Sequence, residues 1–176
     1  MAINKQKLKI HTISLSTLSK PVEIQHYFKT NKIKVYAYTF SFGSNILKHG
    51  YSSKAWRKNS LGERVYRQAH NIPLGWNSKP GRSSSGKDFK EVCDDFENMY
   101  GIKVDKNQTT ITVYDMTQYP GISIRDPESY AREMEAILID EYVSVYGCRP
   151  IGNLRSETNN VPEVDDDRWK DAGFDV

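Results

Sequence analysis

The stretch KVYAYTFSFGSNILKHGYS, residues 34–52, decides the fold that this sequence predicts. Residues 33–40 are rich in β-branched and aromatic side chains, and such a run is typical of a strand. The tripeptide Gly43-Ser44-Asn45 has the composition of a turn, and residues 46–49 predict a second short strand. We therefore expect the two strands to form a hairpin.

Further strands and helices are expected on both sides of this hairpin. Upstream, KLKIHTISL predicts a strand, and PVEIQHYFK predicts a short helix that Pro21 opens. Asp126 is expected to cap a long downstream helix, with Pro127 at its first position and Gly147 closing it. The apolar spacing downstream predicts helical pieces over 55–69, a helix over 87–100, a strand over 109–116 and the long helix over 127–146.

The order of these elements indicates an α+β fold. We expect a small antiparallel three-stranded sheet flanked by helices, with an N-terminal extension and an acidic C-terminal tail. A chain of 176 residues is long enough for one domain with a real core. Residues 1–156 are therefore predicted to form a single domain with its core at 33–155, followed by the tail at 157–176.

The charge of the chain is unevenly distributed. Residues 157–176 carry seven acidic and two basic residues, whereas residues 1–156 carry 23 basic and 15 acidic ones. A basic body favours a polyanionic partner such as nucleic acid, and the alternative is an ordinary solvated basic surface. The acidic tail is either a solvated segment or a shield for the basic face.

Composition argues against several classes of protein. No apolar run approaches the roughly 18–20 residues of a membrane span, so no membrane partner is expected. The first residues lack the apolar stretch of a signal peptide. Cys93 and Cys148 form neither a metal-binding pattern nor a disulfide framework. These features together predict a cytoplasmic protein.

One segment resembles a phosphate-binding loop without completing the motif. GRSSSGKD, residues 81–88, has Asp88 where that loop needs a serine or threonine hydroxyl for magnesium, so no nucleotide cofactor is expected. The segment overlaps a loop rich in Pro, Gly and Ser at 77–86. The basic residues in this region are either solvated or contact DNA phosphates. The candidate DNA-binding residues are Lys79, Arg82 and Lys87.

Five short segments follow one another in an order that resembles a known nuclease family. They are VYAY at 35–38, KHGYS at 48–52, GERVYRQ around Arg64, EAILI starting at Glu135, and PIGN at 150–153. This ordered set resembles the GIY-YIG nuclease superfamily. Lys48 stands where most members carry tyrosine, and this is similar to the branch that contains certain type II restriction endonucleases.

The resemblance implies an endonuclease of double-stranded DNA that depends on Mg²⁺ or Mn²⁺. Glu135 would hold the metal ion, and Arg64 would contact the scissile phosphate, which its planar guanidinium suits. Tyr36 or Lys48 would take the proton from water, for which Lys48 would need a lowered pKa. Two residues would have supporting roles. Gln68 would contribute at most a hydrogen bond, and Asn153 would fix the geometry of the C-terminal turn beside the site.

Each candidate residue also has a purely structural interpretation. Tyr36 shares a strand face with other aromatic residues and could belong to the core. Lys48 and Arg64 could be solvated surface residues. Glu135 lies at the flank of an apolar helical stripe, and Glu141 lies closer to the centre of that stripe. The stripe consists of Tyr130, Met134, Leu138, Tyr142 and Val145.

The predicted partner is double-stranded DNA, and a near-palindromic site would call for a homodimer whose two-fold axis matches that of the site. A mobile-element or repair nuclease would have the same chemistry but usually carries further domains, for which this chain has little room. Two rivals from other classes remain. One is a catalytically inactive DNA-binding protein on the same fold, and the other is an unrelated α+β binding module.

Overall fold

Four antiparallel strands form the sheet, in the order β1-β4-β2-β3. The computed structural model describes residues 3–18, 21–53, 89–122 and 126–153. The strands are β1 (Lys9–Ser14), β2 (Tyr36–Phe42), β3 (Asn45–Ser52) and β4 (Thr109–Asp115). The helices in this part of the chain are α1 (Pro21–Thr30), α2 (Phe89–Tyr100) and α3 (Pro127–Tyr146), and short 3₁₀ turns occupy Lys5–Lys7 and Lys106–Gln108.

The predicted hairpin is confirmed, and it contains a bulge. β2 and β3 pair around a two-residue turn at 43–44, but Phe40 pairs with Lys48, so that Leu47 is an extra residue in β3. A regular two-residue hairpin would pair Phe40 with Leu47 and would turn Lys48 to the other face of the sheet, because side chains alternate along a strand. The bulge therefore places Lys48 on the same face as Phe40.

The two faces of the sheet pack against different helices. One face covers a core formed with α1 and α2, whose main residues are Ile24, Phe28, Tyr36, Tyr38, Phe40, Val92, Phe96, Ile111 and Val113. The other face covers a second core formed with α3, whose main residues are Val35, Ala37, Met116, Tyr130, Ala131, Met134 and Leu138. The hairpin strand β2 contributes to both cores, so it lies between two layers of helix.

The ends of α3 follow from local chemistry, as predicted. The Asp126 carboxylate accepts a hydrogen bond from the Glu128 N–H at 3.1 Å, and the residue between them is a proline at the start of the helix. At the other end, Gly147 adopts a left-handed conformation with φ of +74°, and its N–H donates to the Val143 carbonyl at 2.8 Å. Glycine reaches this conformation without strain from a side chain.

The expectation of an α+β fold with an antiparallel sheet and flanking helices is confirmed, but the number of strands was wrong. The sheet has four strands because β1 pairs with β4, with His11 opposite Val113 and Ile13 opposite Ile111. Residues 3–30 were expected to be an extension, and they instead supply an edge strand and a helix that pack into the main core.

Some predicted segments lie outside the described residues, namely the helical pieces at 55–69, the loop at 77–86 and the tail at 157–176. Among the helices that are described, none combines the length and the apolar character that a bilayer-crossing helix requires.

Candidate active site

Three rows of side chains cross the sheet face that packs on α1 and α2. Residues paired between antiparallel strands project from the same face, so the pairing defines each row. Listed from β1 to β3, the rows are Lys9-Asp115-Tyr36-Ser52, His11-Val113-Tyr38-Gly50 and Ile13-Ile111-Phe40-Lys48. The predicted residues Tyr36 and Lys48 therefore lie on one face, with the Tyr38-Gly50 pair between them.

Gly50 allows the phenol ring of Tyr38 to cross the backbone of β3. A Cβ atom at Gly50 would lie 2.4 Å from both Cζ and Oη of Tyr38, a distance that real Cβ atoms do not reach. The ring therefore occupies the space that any other residue would need at this position. Lys48 is the diagonal neighbour of Tyr38 across the strand pair, and such neighbours are about 7–8 Å apart.

Glu135 is buried on α3, whereas the competing carboxylate is not. Glu135 is only 5% exposed. Glu141, which lies nearer the centre of the predicted stripe, has a side chain that is 56% exposed and forms an ion pair with the ammonium of Lys5. The helix thus distinguishes the two carboxylates by burial, which the helical wheel alone did not.

The pKa of Tyr38 links this tyrosine to Glu135. Burial raises the pKa of Tyr38 well above its usual value, and the nearby Tyr36 and the Glu135 carboxylate raise it further. Since such an effect requires proximity, the Tyr38 hydroxyl and the Glu135 carboxylate belong to one electrostatic environment. The raised pKa keeps the phenol protonated at neutral pH, so Tyr38 is available as a hydrogen-bond donor.

Tyr36 is buried in the core to the same extent as Tyr38. Its side chain is fully buried, and its ring contacts Phe28 edge-on with 5.0 Å between ring centroids. Burial raises the pKa of Tyr36, and a hydrogen bond with Ser52 offsets part of this effect. Tyr38, which sequence reasoning left out of the site, is the tyrosine whose pKa responds to Glu135.

Asn153 fixes the C-terminal PIGN segment to the outer edge of β3. Its Oδ1 accepts from the His49 N–H at 2.9 Å, and its Nδ2 donates to the His49 carbonyl at 3.0 Å. The Gly152 N–H donates to the Leu47 carbonyl at 2.7 Å. A Cβ at Gly152 would lie 2.7 Å from the Cβ of Lys48, so this segment packs directly against Lys48.

His49 projects from the opposite face and is held in a neutral form. Its Nδ1 lies 2.9 Å from the Thr39 hydroxyl. Burial and, after it, the positive charge of Lys5 lower the pKa of His49 to about 3, although a hydrogen bond with the Tyr38 backbone offsets part of their effect. His49 therefore connects the backbones of both hairpin strands from the face that packs on α3.

A second polar network occupies the β1 side of the same sheet face, and no motif in the sequence predicts it. His11 Nε2 lies 3.3 Å from the Asp115 carboxylate, and His11 Nδ1 lies 2.9 Å from the Tyr27 hydroxyl. The other Asp115 oxygen accepts from the Thr117 N–H at 3.0 Å. The alternation of KLKIHTISL could have assigned His11 to a face, but its partners come from distant parts of the chain.

The remaining predicted site residues, Arg64, Gln68, Lys79, Arg82 and Lys87, lie outside the described residues. Within the described ranges, no three His, Cys, Asp or Glu side chains come together as a metal-binding group. A magnesium site built on one carboxylate and several waters does not require such a group.

The chain was also compared with known proteins. No family model, curated protein or solved structure matches it. Its function is therefore inferred from the geometry of its own residues.

Proposed function

We propose that this chain is a Mg²⁺-dependent endonuclease that hydrolyses phosphodiester bonds of double-stranded DNA, as type II restriction enzymes do. Two observations carry the proposal: the buried Glu135 carboxylate raises the pKa of Tyr38, and Lys48 is the diagonal neighbour of Tyr38 across the strand pair. These residues come from the hairpin and from a distant helix, in the order of the GIY-YIG motifs that the sequence resembles.

Glu135 is the residue that would hold Mg²⁺ or Mn²⁺. Magnesium in nucleic-acid enzymes is usually held by one or two carboxylates together with water and phosphate oxygens. A single carboxylate that is 5% exposed, next to a protonated tyrosine, fits this pattern. When bound, the ion supplies neutralisation of charge on the phosphoryl and leaving oxygens.

Lys48 and Tyr38 are the residues that would handle the proton of the attacking water. Hydrolysis needs a base within hydrogen-bond reach of that water. The protonated Tyr38 can orient the water by donating a hydrogen bond, and a neutral Lys48 amine can accept the proton. Lys48, which is 5% exposed, would need a lowered pKa to act as this base. Tyr36 would then support the ring of Tyr38, since their centroids are 6.4 Å apart.

Other residues complete the proposal. Arg64 would fork onto the scissile phosphate, and Gln68 would add at most a hydrogen bond. Lys79, Arg82 and Lys87 would contact the DNA backbone. Asn153 supports the site because it fixes the backbone of His49, which lies between Lys48 and Gly50 on β3. A homodimer would present two such sites to the two strands of a symmetric sequence.

The proposal is tested by incubating the purified chain with mixed phage DNAs and Mg²⁺ or Mn²⁺ and separating the products by size. Discrete fragments that recur between preparations support a restriction enzyme, and sequencing of the fragment ends gives the recognition site. A smear supports a nonspecific nuclease and removes the restriction assignment. Absence of cleavage with either metal, together with tight DNA binding, removes the enzyme assignment.

A catalytically inactive DNA-binding protein is the second candidate, and one observation favours it. Lys48 and Glu135 are each only 5% exposed, and a phosphodiester must reach both for catalysis. In such a protein, the two residues would stabilise the junction of β3, α3 and the PIGN segment. The cleavage assay separates the two candidates, because only the nuclease produces new DNA ends.

A further inference from the structure

The basic excess of the chain body is concentrated in its first third. Residues 1–53 contain eight lysines and a single acidic residue, Glu23. Residues 54–156 contain 15 basic and 14 acidic residues and are nearly neutral in total. The segment that forms β1, α1 and the hairpin therefore supplies almost all of the net positive charge outside the tail, +7 against +1 for residues 54–156.

Four of these lysines lie at one end of the sheet. Lys7 and Lys9 lie at the start of β1, and Lys32 and Lys34 immediately precede β2. Both strands are antiparallel to β4, which lies between them, so their starts are at the same end, roughly 10 Å apart. The side chains of Lys7, Lys9 and Lys32 are exposed, and that of Lys34 is half-buried.

The carboxylates nearest to these lysines along the chain are engaged elsewhere or lie apart. Asp115 is opposite Lys9 in the register, but it is buried and bonded to His11 and the Thr117 N–H. Glu23 lies in the first turn of α1, whereas Lys32 and Lys34 follow its last turn. In the described part of the chain, none of the four lysines forms an ion pair, whereas Lys5 pairs with Glu141.

Lys32 occupies a backbone position that favours glycine. Its φ is +54°, and it is the one non-glycine residue in the described ranges with a positive φ. The turn that ends α1 is closed by the Lys32 N–H donating to the Lys29 carbonyl at 3.2 Å and by the Ile33 N–H donating to the Phe28 carbonyl at 2.9 Å. With lysine at this position the folded state is less stable than it would be with glycine. This points to a role of the lysine side chain outside folding.

We propose that Lys7, Lys9, Lys32 and Lys34 form a lysine rim that binds the sugar-phosphate backbone of double-stranded DNA beside the candidate active site. Lys34 is two residues before Tyr36, so the rim continues into the row that ends at Ser52 on β3. In this proposal, the N-terminal segment contributes to DNA binding through the lysine rim. This inference deepens the proposed function and rests on it for the identity of the polyanion.

The first test measures how DNA affinity depends on salt. The probe is a fluorescein-labelled mixed-sequence duplex of about two helical turns, titrated without divalent metal so that it stays intact. We expect Lys7→Gln/Lys9→Gln to lower the slope of log affinity against log salt by about 0.9 per lysine. The matched control is Lys103→Gln/Lys106→Gln, since these lysines precede β4 and lie at the opposite sheet end. Equal slopes of log affinity against log salt for the two double variants would refute the proposal that the lysine rim binds DNA.

The second test separates binding from folding. We expect Lys32→Gly to keep or raise the melting temperature, because glycine suits φ of +54°, and at the same time to weaken duplex binding. Weaker binding with a lower melting temperature would point to a structural role and would contradict the inference, as would unchanged binding. Vesicles containing phosphatidylserine are the competing probe, and binding to them with no binding to the duplex would also overturn it.

The two tests also keep this inference apart from the proposed function. If the unmodified chain never cleaves DNA but the rim variants lose DNA affinity, the lysine rim is supported and the nuclease assignment is refuted. If the rim variants bind and cleave DNA as the unmodified chain does, the lysine rim is refuted and the nuclease assignment is supported.

Discussion

Replacing Gly50 by alanine tests the placement of Tyr38 over β3. The added Cβ would lie 2.4 Å from two atoms of the Tyr38 ring, and ordinary contact begins at 3.4 Å, so the ring must move by about 1 Å. Tyr38 is 1% exposed and cannot turn into solvent. Overpacking of this kind costs about 1–3 kcal/mol, and we expect the free energy of unfolding to fall by that amount.

The assay is urea unfolding in a double-mutant cycle with Tyr38→Leu. Leucine lacks the ring that crosses Gly50, so Gly50→Ala should be neutral or slightly stabilising in the Tyr38→Leu background, because alanine restricts the unfolded chain. The cycle should therefore give a coupling energy of about 1–3 kcal/mol. An equal cost of Gly50→Ala in both backgrounds, or no cost in the unmodified chain, would refute the contact.

Further predictions concern His49 and Asn153. The folded-state pKa of His49 is about 3 and lies below its ordinary 6.5, so the unfolded state binds more protons between these values. The free energy of unfolding therefore decreases as the pH is lowered from 6.5 to 3, by up to about 1.4 kcal/mol per pH unit. We expect His49→Gln to flatten this dependence in urea unfolding, and the exposed control His26→Gln to keep it. Asn153→Ala should cost about 2–3 kcal/mol because two buried backbone groups of His49 lose their partner, whereas Asn153→Asp, which keeps the acceptor, should cost less. Equal losses for the two Asn153 variants would contradict that assignment.

Local chemistry was sufficient to predict the elements whose signals lie next to each other in the chain. The ends of α3 follow from Asp126, the proline after it and Gly147, all within a few residues of the ends. The apolar stripe of the same helix was predicted less well, because Val145 is 72% exposed. A helical wheel gives the face that packs but not the point at which the neighbouring sheet ends.

Long-range pairing could not be predicted in the same way. The fourth strand exists because β1 pairs with β4, and about a hundred positions separate Ile13 from Ile111. No residue near Ile13 indicates that partner, since strand pairing depends on register and on burial of a whole face. The sequence therefore indicated a strand at this place without indicating its neighbours.

The candidate site depended on one irregularity of the hairpin. Strand alternation placed Tyr36 and Tyr38 on one face, and sequence reasoning chose Tyr36. The bulge at Leu47 sets which β3 residues join that face, and it brings Lys48 and Gly50 to Tyr38. A bulge leaves little trace in a sequence, because it is one extra residue whose neighbours keep their ordinary preferences.

The identity of the metal-binding carboxylate is the central claim, and a matched pair of variants tests it most directly. Glu135→Gln removes the buried carboxylate, and Asp140→Asn removes an exposed one from the same helix. The measurement is the rate of DNA cleavage in saturating Mg²⁺, with duplex binding measured in parallel. We expect Glu135→Gln to lose at least about a hundredfold in rate with binding retained, and Asp140→Asn to cleave like the unmodified chain. Cleavage by Glu135→Gln at the unmodified rate would contradict the claim.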